Sequence, residues 1–131
     1  MCEKHDIGFL CYSPIAQGLL TGKIDDKRQF SNDDLRIGNP RFSPGALEAV
    51  QTVLAPVKAM ARDKNVSTEQ LVLAWTLCQP GVSHVLVGAR NVEQARSNSI
   101  AGLLELDAQE LSVIQQAADA WPGFEKFVPI L

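Results

Sequence analysis

Two short apolar runs that lie far apart in the chain are the feature that most restricts how it folds. Residues 7–12 read IGFLCY and are followed by Ser-Pro, and residues 84–88 read HVLVG and lead directly into a helical pattern. The first run is typical of a strand covered on both faces, as in parallel sheets, and the second is short and β-branched, which also favours a strand. The runs are too far apart to form a hairpin, so the sequence predicts an α/β fold with two parallel strands.

Helical patterns fill most of the remaining chain. Residues 44–79 are predicted to form two helices, the second opened by the capping-box sequence Ser-Thr-Glu-Gln at 67–70. Residues 91–121 are predicted to form further helices, because Asn91 and Asp107 stand where helix N-caps are expected. Beyond them, an apolar and irregular tail is expected.

One proline and one long polar segment interrupt these regular patterns. Pro56 falls inside the first helical pattern and lacks a backbone donor, so we expect a kink there. Residues 13–43 contain several glycines and many charges, which favour a long loop over a strand or a continuous helix. The chain begins with a sequence typical of the last turn of a helix, so we expect further polypeptide upstream.

Composition narrows the possible partners. Twelve Lys and Arg residues against fifteen Asp and Glu residues give a net charge of -3, without a basic block that would attract nucleic acid. The sequence shows neither an export signal nor eighteen consecutive apolar residues, so we expect no membrane contact and a cytoplasmic location. The spacing of Cys2, Cys11 and Cys78 suits reduced thiols, and no metal site is predicted.

The segment after the first strand suits a phosphorylated ligand with a flat ring. Tyr12 stands at the strand tip, and it is followed by a hydroxyl group, backbone amides beside glycine, and Lys23. An aromatic face can stack on a heterocycle, while amides and a cation suit phosphate oxygens. Tyr12 could equally be a structural strand-end tyrosine, and Lys23 a solvated surface charge.

The segment after the second strand places a cation beside the start of a helix. Arg90 lies where the positive end of the helix dipole also favours an anion, and a guanidinium can grip a phosphate through two parallel hydrogen bonds. Gln94 and Asn98 lie four residues apart on one helical face, where their amides could contact a base. The alternatives are a solvated arginine, a helix cap and an ordinary polar helix face.

Both segments resemble sequences of the aldo-keto reductase family. YSPIAQGLLTGK at 12–23 is similar to the segment after the seventh strand of these enzymes, and VGARNVEQARSN at 87–98 is similar to their eighth-strand cofactor segment. NPRF at 39–42 resembles a connector in bacterial members. The resemblance runs from about Cys2 to Trp121, and it implies the carboxy-terminal part of a (β/α)8 TIM barrel, here a helix-rich fragment.

The resemblance also implies which residues contact the cofactor NADP. In the first segment Tyr12 would stack on the nicotinamide ring. The residues implied to line the pyrophosphate are Ser13, Ile15, Gln17 and Lys23.

In the second segment Arg90 would hold the 2′-phosphate of NADP, next to Gly88 and Ala89. Gln94 and Asn98 would contact the adenine. Arg41, in the connector, is expected to tie down the loop rather than to contact the cofactor.

The family reduces carbonyl compounds by hydride transfer from NADPH, with a tyrosine, lysine, aspartate and histidine that come from earlier strands. The single tyrosine of this chain matches the stacking position, and His5 and His84 do not match the catalytic histidine. We therefore expect an NADP-binding portion that is inactive alone and associates either with a complementary amino-terminal half or with copies of itself. The alternative is a non-catalytic, self-associating remnant without cofactor binding.

Overall fold

The computed structural model describes residues 1–121, so the tail predicted after residue 121 lies outside the described residues. It contains two strands, β1 at Phe9–Tyr12 and β2 at Val82–Leu86. The α-helices are α1 at Pro44–Asp63, α2 at Thr68–Leu77, α3 at Val92–Ile100 and α4 at Ala108–Asp119. Short 3₁₀ segments lie at Glu3–His5, Ala16–Thr21, Pro40–Phe42 and Ala101–Leu103. The predicted helix-rich α/β class is confirmed.

The two strands pair in parallel, as the sequence predicts. Leu10 lies opposite His84, and Tyr12 lies opposite Leu86. The register shifts at the start of β1, where the Phe9 amide donates to the Ser83 hydroxyl at 3.2 Å. Because the strands are parallel, the loops that follow both of them leave from the same edge of the sheet.

The expectation that the first strand is buried on both faces is wrong for this chain. Leu10, Tyr12 and Leu86 are 51%, 62% and 52% exposed, and alternation places all three on one face of the sheet. The opposite face is covered by α2, which packs against β2 and leaves Val85 half-buried. The described residues supply a helical layer for one face only, so the apolar side chains of the other face meet solvent.

The hydrophobic core lies among the helices and the long loop. Five apolar residues of α1 follow one helical stripe and are buried: Leu47, Val50, Leu54, Val57 and Ala61. They pack with Leu71 of α2, Ile114 of α4 and Leu19 of the loop. Burying a side chain of this size stabilises the fold by about 1.5–3 kcal/mol, so the helices and the loop form one folded unit.

The kink expected at Pro56 does not divide the first helix. Helix α1 continues through Pro56 to Asp63, and Pro56 itself is exposed. The carbonyl group that loses its helical donor belongs to Thr52, whose neighbourhood is also exposed to solvent, so water can replace the missing donor. The proline is therefore tolerated on the outer face of α1.

Three of the predicted helix starts are capped as the sequence indicates. Ser67 and Gln70 form a reciprocal capping box at α2, and Asp107 and Glu110 form another at α4. The Asn91 side chain accepts a hydrogen bond from the backbone of the third residue of α3. These caps satisfy backbone donors that helix starts otherwise leave unpaired.

Candidate functional site

The carboxyl edge of the sheet brings together the two segments singled out in the sequence. Tyr12 and Leu86 are register partners at the ends of their strands, and neighbouring strands lie about 4.8 Å apart. The loop from Ser13 therefore starts beside the loop from Val87. This edge is where α/β proteins bind their ligands.

The loop from β1 begins with an unusual backbone conformation. Ser13, Ala16 and Gln17 have φ values of 52°, 46° and 56°, and Gly18 has a φ of 94°. Non-glycine residues seldom occupy this left-handed region, and such strain concentrates at binding sites when surrounding contacts enforce it. The turn is internally bonded, since the Ile15 carbonyl oxygen accepts from the amides of both Gly18 and Leu20.

Arg36 is a contact of this turn that sequence reasoning missed. Its Nη1 donates to the Gln17 carbonyl oxygen at 3.3 Å, although nineteen residues separate the two in the chain. The signal in the sequence was an arginine two residues after Asp34, in a loop that also contains Phe30. An arginine close to both a carboxylate and an aromatic ring is typically fixed in place rather than solvated.

The structure pairs Lys23 with a carboxylate instead of leaving it free. Its Nζ lies 3.0 Å from Oε2 of Glu69, which is buried on α2, while the lysine side chain is 70% exposed. The pairing offsets part of the positive charge that was predicted to meet a pyrophosphate. It also fixes the end of the turn against the helical layer.

Tyr12 and Ile15 differ in exposure. The Tyr12 ring lies on the open face of the sheet and is 62% exposed, so a flat ligand can reach it. Ile15 is half-buried, at the base of the turn. Tyr12 is therefore not a buried core tyrosine.

Around Arg90, backbone and side chains form a capping arrangement. The Arg90 amide donates to Oε1 of Gln94 at 2.8 Å, and the Gln94 amide donates to Oδ1 of Asn91 at 2.8 Å. The Gln94 side chain thus serves as a cap, the alternative that its position left open, and keeps its own amide hydrogens to donate. The Arg90 residue is exposed, and within residues 1–121 it makes no ion pair.

A cavity of about 350 Å³ lies next to this segment, between β2, α2 and α3. Ala89 and Asn98 line it together with apolar side chains that include Leu73 and Leu77 of α2. The Asn98 side-chain amide donates to the Gly88 carbonyl oxygen at 3.3 Å. Its Oδ1 is buried and has no partner in the described part of the chain, which leaves one hydrogen-bond acceptor unsatisfied.

Gly88 leaves room for close approach to the backbone. A methyl group added at Gly88 would meet no atom within 4 Å, and both Gly88 and Ala89 are exposed. With the Arg90 guanidinium, the open backbone and the free Asn98 acceptor, this half of the edge fits a phosphorylated nucleoside. These groups therefore fit NADP, the cofactor that the sequence resemblance implies.

Two adjacent residues of α2 tether the two segments. Glu69 holds Lys23 of the first segment, and Gln70 donates from Nε2 to the Ser97 carbonyl oxygen of α3 at 2.9 Å. Both side chains are buried. The start of α2 therefore sets how the two segments lie relative to each other.

Other classes of site find little support in residues 1–121. This part of the chain contains no group of three or more His, Cys, Asp or Glu side chains placed to hold a metal ion. None of its helices has the length and hydrophobicity that a membrane crossing requires. Partial burial raises the pKa of the Cys11 thiol above its ordinary value, so Cys11 stays in the less reactive protonated form at neutral pH.

A pair of parallel strands, backed by helices on one side and ending in polar loops at one edge, is an arrangement that a portion of a (β/α)8 barrel would show. The model of the aldo/keto reductase family matches residues 1–119, and the chain belongs to this family. An uncharacterized oxidoreductase of Mycobacterium tuberculosis is 37% identical over 112 residues, which cover 86% of this chain and 34% of that protein. The aldo-keto reductase yakc [NADP(+)] of Schizosaccharomyces pombe is 26% identical over 90% of this chain and 35% of its own length.

The structural comparison gives the same result. The glycerol dehydrogenase of Gluconobacter oxydans matches with a TM-score of 0.81 and 26% identity, over 99% of this chain and 38% of that one. The chain thus spans about a third of the length of the curated relatives it matches. Its fold is that of one part of their barrel.

Proposed function

We propose that this chain is the NADP-binding portion of an NADPH-dependent aldo-keto reductase. The observation that carries the proposal is the parallel register, which brings the turn after Tyr12 and the segment around Arg90 to one edge of the sheet. One ligand with a flat ring and several phosphates can then contact both segments. The name of the S. pombe relative, which includes NADP(+), also supports this choice of cofactor.

The segment after β2 would hold the adenosine part of the cofactor. Arg90 would bind the 2′-phosphate beside the open backbone of Gly88 and Ala89, because its guanidinium is exposed and makes no ion pair among residues 1–121. Asn98 would accept a hydrogen bond from the exocyclic amine of adenine through its unpartnered Oδ1. Gln94 would contribute the side-chain amide that its capping role leaves available.

The segment after β1 would hold the nicotinamide half. Tyr12 would stack on the ring from the open face of the sheet. The left-handed turn of Ser13, Ile15 and Gln17 would surround the pyrophosphate, and Lys23 would contribute its partly offset charge. NADPH, when bound, supplies the hydride that reduces a carbonyl substrate.

Titration with NADPH, followed by the fluorescence of the bound nicotinamide, tests the proposal. We expect saturable binding that Arg90→Ala weakens by roughly tenfold or more, since a charge-assisted hydrogen-bond pair to phosphate is lost. Arg62→Ala is the matched control, because Arg62 is an exposed arginine near the end of α1, outside both segments. Absence of NADPH binding by the wild-type chain would exclude the proposal.

The chain alone is proposed to be catalytically inactive. It contains a single tyrosine, and that residue is assigned to stacking. His84 lies in the middle of β2 rather than at the carboxyl edge, and His5 precedes β1. Turnover of a simple aldehyde by the purified chain with NADPH would contradict this assignment.

In this first candidate function, the open face of the sheet is covered by a complementary aldo-keto reductase portion. That face exposes Leu10 and Leu86, and the matched glycerol dehydrogenase contains a further 62% of chain that has no counterpart here. Co-expression with an amino-terminal portion of a relative should therefore yield a stable complex.

The same face favours a second candidate, a non-catalytic remnant that associates with itself. Exposed apolar side chains and two open strand edges promote pairing between copies. Analytical sedimentation measures this self-association. In this candidate the wild-type chain is a homo-oligomer and Leu10→Glu dissociates it. The wild-type chain would then bind no NADPH. Leu35→Glu is the control, since Leu35 is an exposed leucine of the long loop.

A further inference from the structure

The turn after β1 needs support from outside itself. Ser13, Ala16 and Gln17 all occupy the left-handed region without being glycine, which is unfavourable for residues that carry a Cβ. Such a turn persists only when surrounding contacts fix it. Gln17 is exposed, so packing of its side chain in the core does not supply that support.

Arg36 contacts the turn from outside. Its Nη1 donates to the carbonyl oxygen of Gln17, between two consecutive left-handed residues, Gln17 and Gly18. A methyl group placed on Gly18 would lie 3.8 Å from the same nitrogen. The guanidinium therefore lies directly against the turn.

Arg36 is itself held firmly on its other sides. Its Nε and Nη2 donate to the two carboxylate oxygens of Asp34 at 2.8 and 2.6 Å, and both side chains are only 19% exposed. The guanidinium carbon lies 4.3 Å from the centre of the Phe30 ring, and Phe30 meets the buried Phe42 edge to face. An arginine that is fixed by a bidentate carboxylate and an aromatic face can in turn hold the group it contacts in one position.

We propose that Arg36 is a positioning residue, which holds the turn of residues 13–18 in the conformation that receives the pyrophosphate of NADP. This inference rests on the proposed function and deepens it, since Arg36 acts through the Gln17 carbonyl group and not by contact with the cofactor. Asp34 and Phe30 complete the support by fixing the guanidinium.

The test compares two probes that use different parts of the site. NADPH spans both segments, whereas adenosine 2′,5′-bisphosphate has the 2′-phosphate for Arg90 but lacks the nicotinamide and the pyrophosphate. Calorimetry with both probes is carried out on the wild-type chain, on Arg36→Met and on the control Arg62→Met. Arg36→Met is expected to weaken NADPH binding by about tenfold, the scale of one well-placed hydrogen bond, and to leave the bisphosphate affinity unchanged.

The possible outcomes separate this inference from the proposed function. If the wild-type chain binds neither probe, the proposed function fails and the inference fails with it. If the wild-type chain binds NADPH and Arg36→Met binds it equally well, only the inference fails. An equal loss for both probes also overturns the inference, because it indicates general destabilisation.

A second variant keeps the test decisive if Arg36→Met does not fold. Arg36→Lys retains the positive charge. One ammonium group, however, cannot make the bidentate hydrogen bonds to the Asp34 carboxylate together with the hydrogen bond to the Gln17 carbonyl oxygen. With the fold checked by circular dichroism, the same selective loss of NADPH affinity supports the inference. Unchanged NADPH affinity in Arg36→Lys would contradict it.

Discussion

The helical layer and the two-stranded sheet of this chain differ in how completely they are packed. Leu71 of α2 is fully buried among α1, α4 and the long loop, whereas Leu10 in the sheet is about half exposed. The difference indicates that the helices and the loop carry the stability, while the strands position the segments that would bind a cofactor. Substitutions in each region test this division.

Replacing a leucine with alanine should destabilise the chain far more in the helical layer than in the sheet. Leu71→Ala is expected to lower the free energy of unfolding by about 2–5 kcal/mol, because it leaves a cavity in a fully buried site. Leu10→Ala, at an exposed site of β1, should change it by no more than about 1 kcal/mol. Urea denaturation measures both, and equal losses would contradict the comparison.

Two glycines should respond to alanine with opposite signs. Gly22 ends the turn region with a φ of 72°, and a methyl group there would lie 2.6 Å from a carbon of the Lys58 side chain, so Gly22→Ala should cost about 1–2 kcal/mol. Gly45 lies in the first turn of α1 with open space around it, and Gly45→Ala should stabilise the chain by about 0.5 kcal/mol. Thermal unfolding of the two variants measures the sign, and a loss at Gly45 would contradict this account.

Helix caps give a smaller test within the helical layer. Ser67 accepts a hydrogen bond from the Gln70 amide, so Ser67→Ala should cost about 1 kcal/mol. Ser43 stands at the start of α1, where its exposed hydroxyl donates to the Pro40 carbonyl oxygen and caps no helix amide, so Ser43→Ala is the control and should cost less. If the two variants lose equal stability by chemical denaturation, the assignment of the α2 cap is wrong.

Titration of the Asp34 carboxyl group tests its pairing with Arg36, the residue that contacts the turn. Hydrogen bonds from the Arg36 side chain lower the pKa of Asp34 from 3.8 to about 2. Because the folded-state pKa is depressed, this stabilisation is complete above pH 3.8 and is lost as the pH falls towards 2. Carboxyl NMR shifts should give a midpoint near 2 in the wild-type chain and a higher one in Arg36→Met; an identical midpoint in both would contradict the pairing.

The fold could be predicted from the sequence where the signal is local. The stripe of α1 and the caps at Ser67 and Asp107 depend on spacings of three and four residues, which the printed sequence displays directly. Strand positions were less exact, since residues 84–88 were predicted and Val82–Leu86 is observed. Strand limits depend on the pairing partner, and here the register shift near Ser83 determines where pairing begins.

The site could be predicted only in outline. The residue types after each strand were visible, but pairings over long sequence distances were not, such as Lys23 with Glu69 and Arg36 with Gln17. The exposure of the sheet was also missed, because an apolar run has the same sequence whether or not another element covers it. Tertiary packing decides these features, and no local pattern encodes them.

We propose that the turn of residues 13–18 and the segment of residues 87–98 bind one ligand together. Amide NMR shifts recorded during an NADPH titration of the ¹⁵N-labelled chain test this proposal. If one cofactor occupies both segments, their amides shift along a single saturation curve. Shifts confined to one segment, or two curves with different midpoints, would contradict a shared NADP site.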